Sequence, residues 1–534
     1  MRRYIAATLG LAAVYTMIGW AATASAAVLR VGTYHGIRGQ YTTIQAAVDA
    51  AQPGDWILIG PGDYKTTAIS TPKGKRDLPA AVLITTRNLH IRGMNRRTVI
   101  VDGTKPGSAA CSRTPAAQNF GVSGAATSIG RYAVTAAARR SGLNGLMVWK
   151  AADVSIQNLT ACNFLGGTDP SGNQIWWNGG YDSGRVGGHG FLGSYLTATS
   201  TYFGGEKTAA TYGIFSSNWS DGTWDQTYAS NFNDSGYYIG ACRQICDQTV
   251  NHAWAEYNAL GYSGSNSGGT LIVKNSQWDR NEEGFNTNSQ NGDTPAPQNG
   301  ACPGNAISPI THTHSCWVFM HNDVHDNNNP NVPSAGGAAA GPVGTGLVIA
   351  GGRNDTVMDN RFVNNKAWGA LVVNYPDSGK PCTGGTRNSP LLGKGSCLFD
   401  EWGDAVLDNT FTREGAYGNP TNGDFEQLSF ESHPSDCFRG NSDTSGSLTV
   451  VSAALEAQYP TCTTTAVPAN LNVPFLDEVL CDSIISVPPF GCQAGDHYPV
   501  RTRVIMHPLP AGLRSMPSPC AGVPGNPWCT RRTA

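Results

Sequence analysis

The sequence contains few charged residues and no excess of either sign. Charged side chains make up 14% of the 534 residues, and 36 basic against 38 acidic residues give a net charge of −2. A chain with so little net charge has no global field that would attract nucleic acid or an anionic membrane surface. We therefore expect no nucleic-acid partner, and any recognition of charge must come from a local group of residues.

Long hydrophobic runs are absent after residue 22. The one such run, residues 4–22, follows Arg2 and Arg3 and precedes the small residues Ala24-Ser25-Ala26. This order predicts a secretory signal peptide over residues 1–26, and the run is short for a membrane span. We expect a monomeric mature chain without a membrane span, secreted or periplasmic.

CxxC motifs are absent as well, although the chain has 14 cysteines. Zinc sites commonly use that spacing, whereas an even number of cysteines in an exported chain favours disulfides. The closely spaced candidates for pairing are Cys242/Cys246, Cys302/Cys316, Cys382/Cys397, Cys481/Cys492 and Cys520/Cys529. The partners of the remaining four cysteines stay open.

Glycine is abundant, with 65 residues, and it marks a repeat. Glycines that open short apolar stretches follow one another at spacings of 23, 25 and 23 residues between Gly213 and Gly284. A further spacing of 23 residues separates Gly346 from Gly369. The gap of 68 residues after Gly145 is interpreted as three periods, and the gap of 62 after Gly284 as two periods plus an insertion. Units this short bury their apolar positions only by stacking, which predicts a solenoid.

Asparagine and β-branched or aromatic residues recur within this repeat. A leucine-rich repeat has a similar period but requires a leucine ladder, so the pattern favours a β-helix of roughly 23-residue coils. Asn158, Asn360 and Asn409 occupy one turn position. They predict a ladder of stacked side-chain amides along the solenoid axis.

The N-terminal part resembles a known superfamily. Residues 43–51, Thr-Ile-Gln-Ala-Ala-Val-Asp-Ala-Ala, and residues 53–64, Pro-Gly-Asp-Trp-Ile-Leu-Ile-Gly-Pro-Gly-Asp-Tyr, resemble the opening of pectin-lyase-like proteins, and the resemblance covers roughly residues 40–430. It implies an all-β, right-handed parallel β-helix over residues 27–436 with a short N-terminal capping helix. Residues 437–534, rich in Cys and Pro, are expected to form a disulfide-rich C-terminal cap.

The superfamily includes pectate lyases, polygalacturonases, pectin methylesterases, epimerases and proteins without known catalysis, so the fold alone does not choose an activity. Gly188-His189-Gly190 resembles an element of polygalacturonases, but the paired aspartates expected one coil earlier are missing. The signature motifs of pectate lyases and pectin methylesterases are missing too. The resemblance therefore implies a carbohydrate-active protein, either a polysaccharide lyase or a glycoside hydrolase, with a non-catalytic glycan-binding or cell-surface protein as the alternative.

One row of outward-facing positions along the stacked coils, here called the lane, combines aromatic and polar side chains. Positions two and four after each marker glycine should face solvent, because side chains alternate across a strand. Pyranose rings stack on aromatic faces, and their hydroxyls bind hydroxyl and amide groups. The predicted substrate-binding residues are Trp149, Tyr238, Ser265, Asn286 and Asn288.

Carboxylates occur in the turns that enter this lane. Asp234 precedes Gly236 by two residues, and Glu282 and Glu283 precede Gly284. Two coils at ~4.8 Å each separate Asp234 from Glu282 and Glu283 by roughly 10 Å. This distance is near the separation of the two catalytic carboxyl groups in inverting glycosidases and too long for a retaining pair. Arg243, in the turn leaving the Tyr238 strand, is the predicted partner of a uronate carboxylate or a lyase base.

Long insertions at residues 287–315, 330–343 and 376–400 are expected to wall the lane. No cofactor is required by these patterns, although Ca2+ is compatible with Asp221 and either Asp225 or Asp234. A histidine cluster is the competing metal candidate; its members are His312, His314, His321, Asp323, His325 and Asp326.

Overall fold

The computed structural model describes residues 26–75, 77–119, 142–167, 171–180, 185–292, 296–335, 341–378, 381–389, 393–430, 433–434, 436–462, 466–467, 471–481 and 491–529. The predicted signal peptide thus lies outside the described residues, except for Ala26. Among the helices that the structure describes, none has the length and apolar character needed to cross a membrane.

Three parallel sheets run the length of the molecule, and each coil contributes a strand to each sheet in turn. Sheet A has ten strands: Ala80–Ile84, Asn144–Trp149, Ile175–Asn178, Tyr212–Ser217, Ser235–Gly240, Leu260–Ser265, Glu283–Asn288, Thr345–Ala350, Trp368–Val373 and Gly423–Leu428.

Sheet B has twelve strands: Val28–Val31, Trp56–Ile59, His90–Gly93, Val154–Gln157, Phe191–Ser194, Gly222–Asp225, Gln248–Asn251, Leu271–Lys274, Trp317–Met320, Asp355–Met358, Ala405–Leu407 and Cys437–Arg439. Sheet C has eleven: Gly62–Lys65, Val99–Asp102, Thr160–Cys162, Thr197–Thr199, Tyr228–Ser230, Trp254–Glu256, Gln277–Asp279, Asp323–His325, Arg361–Val363, Thr410–Thr412 and Ser442–Asp443. The predicted right-handed parallel β-helix is confirmed.

Smaller elements decorate the coils. The short strands outside the three sheets are Thr33–Tyr34, Ile37–Arg38, Gly188–His189, Trp219–Ser220, Tyr375–Ser378, Thr386–Arg387, Ser396–Phe399, His433–Pro434 and Ala466–Val467. The α-helices are Ile44–Ala50, Val450–Gln458 and Val473–Cys481, and 3-10 turns occur at Pro115–Ala117, Glu206–Thr208 and Pro303–Asn305.

The core follows the predicted alternation. Tyr237, Tyr262 and Phe285 are in register on adjacent strands of sheet A and are fully buried, whereas Tyr238 and Asn286, one residue later, remain partly exposed on the outer face. Each coil is too small to bury these rings alone, so burial requires the neighbouring coil. The outer face of sheet A is consequently free to carry polar side chains.

Three coils are longer than the spacing of the marker glycines suggests. Strand Ile175–Asn178 is the single sheet A strand between those of Gly145 and Gly213, so that gap contains two enlarged coils and not three periods. Phe285 pairs directly with Leu347, so the gap of 62 residues is one coil with two insertions and not two periods. Both interpretations were wrong because loop length is unrelated to coil number.

The predicted cap and amide ladder are confirmed. Helix Ile44–Ala50 is capped at its N-terminus by Thr43, whose hydroxyl accepts a hydrogen bond from the Ala46 N–H at 3.3 Å. In the ladder, Asn409 Oδ1 accepts from the Asn360 backbone N–H at 3.0 Å. The ladder runs through Asn322, Asn360, Asn409 and Asn441, whereas Asn158 accepts from the Arg96 N–H instead. A second ladder, not predicted, comprises Asn258, Asn281, Asn327 and Asn365.

Seven disulfides use all 14 cysteines. The five predicted pairs are present, and the two others join Cys111 to Cys162 and Cys437 to Cys462. The disulfide-rich C-terminal cap is confirmed, and it contains the helices Val450–Gln458 and Val473–Cys481. The core is therefore covered where the last coil ends.

Residues 493–529, here called the return segment, do more than cap that end. The segment contains no helix or strand, and it bonds to successively earlier coils as the chain proceeds. Its contacts pair Thr502 with Asn331, His507 with Asn231, Met516 with Asn158, and Ala521 with Arg92. It therefore runs back along the solenoid towards the N-terminal coils and satisfies polar groups at their turns.

Trp528 anchors the far end of the return segment. Its ring is 5% exposed and packs on Leu58 and Met94, and its indole N–H donates to the Ile37 carbonyl at 2.9 Å. Trp528→Ala should destabilise the docked segment by about 3 kcal/mol and expose it roughly 100-fold more often. Faster tryptic cleavage after Arg514, followed by mass spectrometry, would report this. Leu509→Ala, at a 39% exposed residue, is the control, and equal cleavage of both variants would contradict the anchoring role.

Candidate functional site

A groove follows the outer face of sheet A. It consists of an N-terminal cavity of about 450 Å³ and a C-terminal cavity of about 250 Å³, which share Tyr212, Asp234 and Tyr238 in their linings. The C-terminal cavity lies over the central coils that the sequence predicts to carry the site. All three long insertions contribute to the walls, with Gln290, Ala335, Gly341, Pro342 and Pro376.

Aromatic rings form the floor towards the N-terminal coils. Trp176, Phe215 and Tyr238 are in register on adjacent strands, so their side chains point to the same face. The rings of Trp176 and Phe215 stack at 4.8 Å with an interplanar angle of 8°, and Tyr238 meets Phe215 edge-on at 4.8 Å. Trp176 and Phe215 are only 3% and 8% exposed, so the partly exposed rings of Tyr212 and Tyr238 are the ones available to a ring-shaped ligand.

Hydroxyl and amide groups replace the aromatic rings in the central coils. Ser263 and Asn286 continue the row of Tyr238, and Ser265 and Asn288 form a parallel row. The Ser265 hydroxyl donates to Asn288 Oδ1 at 3.0 Å. Farther along, Val348 and Leu371 make the floor aliphatic. The groove therefore changes from aromatic to polar to aliphatic along its length.

Asp234 lies where the two cavities meet. Oδ2 accepts a hydrogen bond from the Tyr212 hydroxyl at 2.9 Å, and Oδ1 accepts one from the Ser263 hydroxyl at 3.4 Å. Desolvation by the surrounding chain raises the pKa of Asp234 to about 6, although these hydroxyls lower it. The carboxyl is therefore mostly ionised at neutral pH and able to accept a proton.

Glu283 lies in the C-terminal cavity and is 1% exposed. Asn286 Nδ2 donates to its Oε1 at 2.8 Å, while Oε2 is buried without a hydrogen-bond partner among the described residues. Gly341 closes over Oε2 so tightly that a Cβ there would fall 2.1 Å from it. Burial, together with the charge of Glu282, raises the pKa of Glu283 to about 8. This carboxyl therefore holds a proton at neutral pH.

The two carboxyl groups are two strands apart. Ser235, the residue after Asp234, pairs with Leu260, which pairs with Glu283. At ~4.8 Å per strand the side chains are separated by roughly 10 Å. One carboxyl that keeps its proton and one that has lost it thus face the same groove, and this is the arrangement that acid-base chemistry requires.

The structure brings together six of the nine predicted site residues. Asp234, Glu283, Tyr238, Ser265, Asn286 and Asn288 all line the groove. Glu282, Arg243 and Trp149 do not. Arg243 is exposed in the turn between Cys242 and Cys246, and Trp149 packs beside Met147 with the Lys150 ammonium 5.1 Å from its ring centre.

Sequence reasoning missed several groove residues. Trp176 was missed because its strand lacks the marker glycine, and Tyr212 because it precedes one. Val479 and Leu480, which line the C-terminal cavity, come from the cap, and no repeat pattern places them. His189 of the Gly-His-Gly element is exposed near Asp153 and lies outside the groove lining.

In the part of the chain that the structure describes, potential metal ligands do not converge in the groove. Among the described residues, the one group of three that lies within 4.8 Å is Asp102 with Cys111 and Cys162, and those cysteines form a disulfide. In the predicted histidine cluster, His325 bonds Asp326 at 2.9 Å, whereas His314 bonds the Asn305 carbonyl at 2.9 Å. The possible role of Ca2+ stays a prediction.

The hydrogen bond from the Tyr212 hydroxyl should hold down the pKa of Asp234. Tyr212→Phe removes a hydrogen bond that favours the ionised carboxyl, so the pKa of Asp234 should rise by about one unit. A 13C NMR titration of Asp-labelled protein would measure the shift, with Asp234→Asn identifying the signal. Tyr238→Phe removes a neighbouring hydroxyl that is not among the groups setting this pKa. Equal titration in the two variants would contradict the role given to Tyr212.

Comparisons with known proteins support no closer assignment. No family model matches the chain, and no curated protein does. Among solved structures, the A-module of an Azotobacter vinelandii mannuronan C-5 epimerase is 13% identical, with 75% of this chain and 94% of that chain covered and a TM-score of 0.38. A Yersinia enterocolitica family 28 exopolygalacturonase is 12% identical, with 78% of this chain and 75% of that chain covered and a TM-score of 0.39. Since these scores are low, the fold assignment rests on the strand register described above.

Proposed function

We propose that the protein is a polysaccharide hydrolase in which Glu283 is the general acid and Asp234 the general base. The observation that carries the proposal is the pair of carboxyl groups in one groove whose pKa values are about 8 and about 6. Between these values Glu283 is protonated while Asp234 is ionised. Environments that push two carboxyl pKa values apart assign one group as proton donor and the other as acceptor.

The separation of the two groups decides the type of hydrolysis. Retaining enzymes place their carboxyl groups about 5 Å apart, whereas inverting enzymes leave about 6.5–9.5 Å for a water molecule. Two strand spacings, roughly 10 Å, fit the second arrangement with a small inward adjustment of either side chain. In this scheme Glu283 protonates the leaving oxygen, and Asp234 takes a proton from the water that attacks from the opposite face.

The lining of the groove suits a chain of sugars. The partly exposed rings of Tyr212 and Tyr238 offer apolar surfaces to a sugar, and Ser265 and Asn288 offer donors and acceptors for hydroxyls. A polymer lying along the stacking direction would contact both surfaces at once. The Oε2 atom of Glu283 lacks a partner among the described residues but is covered by Gly341, so proton transfer to a bound ligand requires Gly341 to be displaced.

The seven disulfides bear on where the protein works. Disulfides persist in oxidising compartments and are rare in the reducing cytosol. All 14 cysteines are paired, including Cys111 with Cys162 across two coils. We therefore place the proposed activity outside the cytosol, in agreement with the signal peptide predicted for residues 1–26.

Incubation with a panel of polysaccharides tests the proposal. Hydrolysis creates reducing ends without ultraviolet-absorbing unsaturated sugars, whereas a lyase creates both. We expect reducing ends alone, and their production should require both Asp234 and Glu283. Unsaturated products would overturn hydrolysis in favour of elimination. Glycan binding without turnover, unchanged in Asp234→Asn and Glu283→Gln, would favour the non-catalytic alternative.

A further inference from the structure

We infer that the groove takes a neutral polysaccharide and discriminates against polyuronates; this inference rests on the proposed function of the same site. The argument starts from charge. The charged side chains lining the two cavities, among the described residues, are Glu206, Lys207, Asp234 and Glu283. Because Glu283 holds a proton at neutral pH, the charged groups of this lining are the carboxylates of Glu206 and Asp234 and the ammonium group of Lys207.

The one ammonium group of the described lining belongs to the N-terminal cavity and not to the C-terminal cavity that contains Glu283. Lys207 is exposed in the wall of the N-terminal cavity, and the described lining of the C-terminal cavity contains no Lys or Arg. Arg501 of the return segment does approach the groove, but its guanidinium is paired with Glu206 at 2.5 Å. Arg243, the predicted partner of a uronate carboxylate, is exposed and does not line the groove.

The two undescribed stretches that connect one lining residue directly to another contain no positively charged residue. Residues 168–170 connect Gly167 to Ser171, and residues 336–340 connect Ala335 to Gly341. Their sequences are Thr-Asp-Pro and Gly-Gly-Ala-Ala-Ala. Neither contains Lys or Arg, so the deficit of cations does not depend on where these residues lie.

A polyuronate would carry a carboxylate on each sugar into this groove. A carboxylate that loses water without gaining a cationic partner is strongly disfavoured, and a like charge nearby adds repulsion. Asp234 is ionised above about pH 6 and would repel a uronate bound at the reaction centre. Elimination next to a uronate also needs a cation on that carboxylate, so the same deficit agrees with hydrolysis.

A neutral sugar carries no carboxylate, so it loses no carboxylate hydration and is not repelled by Asp234. The polar floor consists of uncharged donors and acceptors, namely Ser263, Ser265, Asn286, Asn288 and Gln290. These groups exchange hydrogen bonds with sugar hydroxyls without moving a charge out of water. The partly exposed rings of Tyr212 and Tyr238 offer an apolar surface to a pyranose whatever its substituents.

Binding to the full-length Glu283→Gln variant, which keeps bound sugars intact, tests the inference. The probes are neutral hexasaccharides of glucose, xylose and mannose and the hexamers of galacturonate and mannuronate, followed by calorimetry and tryptophan fluorescence at low and high salt. We expect at least one neutral probe to bind with equal affinity at both salt concentrations and at least about tenfold more tightly than either uronate. Tighter, salt-sensitive uronate binding, or no binding by any neutral probe, would overturn the inference.

A second variant and an activity assay separate this inference from the proposed function. Asn288→Lys places a cation in the C-terminal cavity and should improve uronate affinity by at least about tenfold; no gain would count against the charge argument. If the wild-type protein hydrolyses a polyuronate and Glu283→Gln abolishes that activity, the proposed hydrolase stands while the neutral substrate class fails. Cleavage that is insensitive to Glu283→Gln would instead remove the proposed function.

Discussion

Glu283→Gln is expected to lower the turnover number of polysaccharide cleavage by about 10²–10⁴-fold, because the amide cannot deliver a proton to the leaving oxygen. Gln preserves the size of the side chain and its position beside Asn286 and Gly341. KM should change little, since the substituted group acts mainly in the transition state. Steady-state assays on the best substrate of the panel would measure both parameters.

The adjacent Glu282 provides a matched control. Glu282→Gln makes the same replacement of Glu by Gln one residue earlier, outside the lining of the groove, and should retain most of the activity. Because the charge of Glu282 helps to raise the pKa of Glu283, this variant should also shift the alkaline limb of the pH–activity profile to lower pH. Stability supplies a second control. The pKa of Glu283 is raised, so its contribution to stability is present below about pH 4.5 and is lost as the pH rises through about 8. Glu283→Gln escapes that loss and should be at least as stable as the wild type at pH 9. Equal activity losses in both variants would contradict the role of Glu283.

Phe285→Ala is expected to lower the free energy of unfolding by about 3–5 kcal/mol. Phe285 is fully buried two residues after Glu283, and its ring stacks on Tyr262 at 4.0 Å with an interplanar angle of 2°. It also packs against Phe319 at 4.7 Å. Removing the ring leaves a cavity directly beneath the strand that carries Glu283 and Asn286. Chemical denaturation followed by tryptophan fluorescence would measure the loss.

Phe285→Leu is the matched comparison for this position. Leu keeps most of the apolar volume, so its expected cost is smaller, about 1–1.5 kcal/mol. Because Glu283 and Asn286 belong to the same strand, the Ala variant should also weaken substrate binding more than the Leu variant does. A cost below about 1 kcal/mol for Phe285→Ala would show that neighbouring coils close the space, against the packing described here.

The fold could be predicted to a large extent because the physical constraints are periodic. Alternation placed Tyr237 inside and Tyr238 outside, and both positions are confirmed. Coil number could not be predicted, since an insertion such as residues 287–315 adds length without adding a strand to each sheet. The return segment escaped prediction as well, because its partners, among them Asn231 and Asn331, are reached by irregular hydrogen bonds that no sequence pattern records.

The site could be predicted in part, because the strand register that places its residues is also periodic. Strand register brought Asp234, Asn286 and Asn288 to one face, and the sequence contains that register. It does not distinguish Glu282 from Glu283, because one residue decides which carboxyl enters the groove. The raised pKa of Glu283 depends on burial near Gly341 of a distant insertion. Such burial comes from tertiary structure.

The dependence of kcat/KM on pH tests the assignment of acid and base most directly. Asp234 must be ionised and Glu283 protonated, so the account predicts a bell-shaped profile with limbs near pH 6 and pH 8. The residual activity of Glu283→Gln should lose the alkaline limb and keep the acidic one. An alkaline limb that persists unchanged in Glu283→Gln would contradict the assignment of Glu283 as the proton donor.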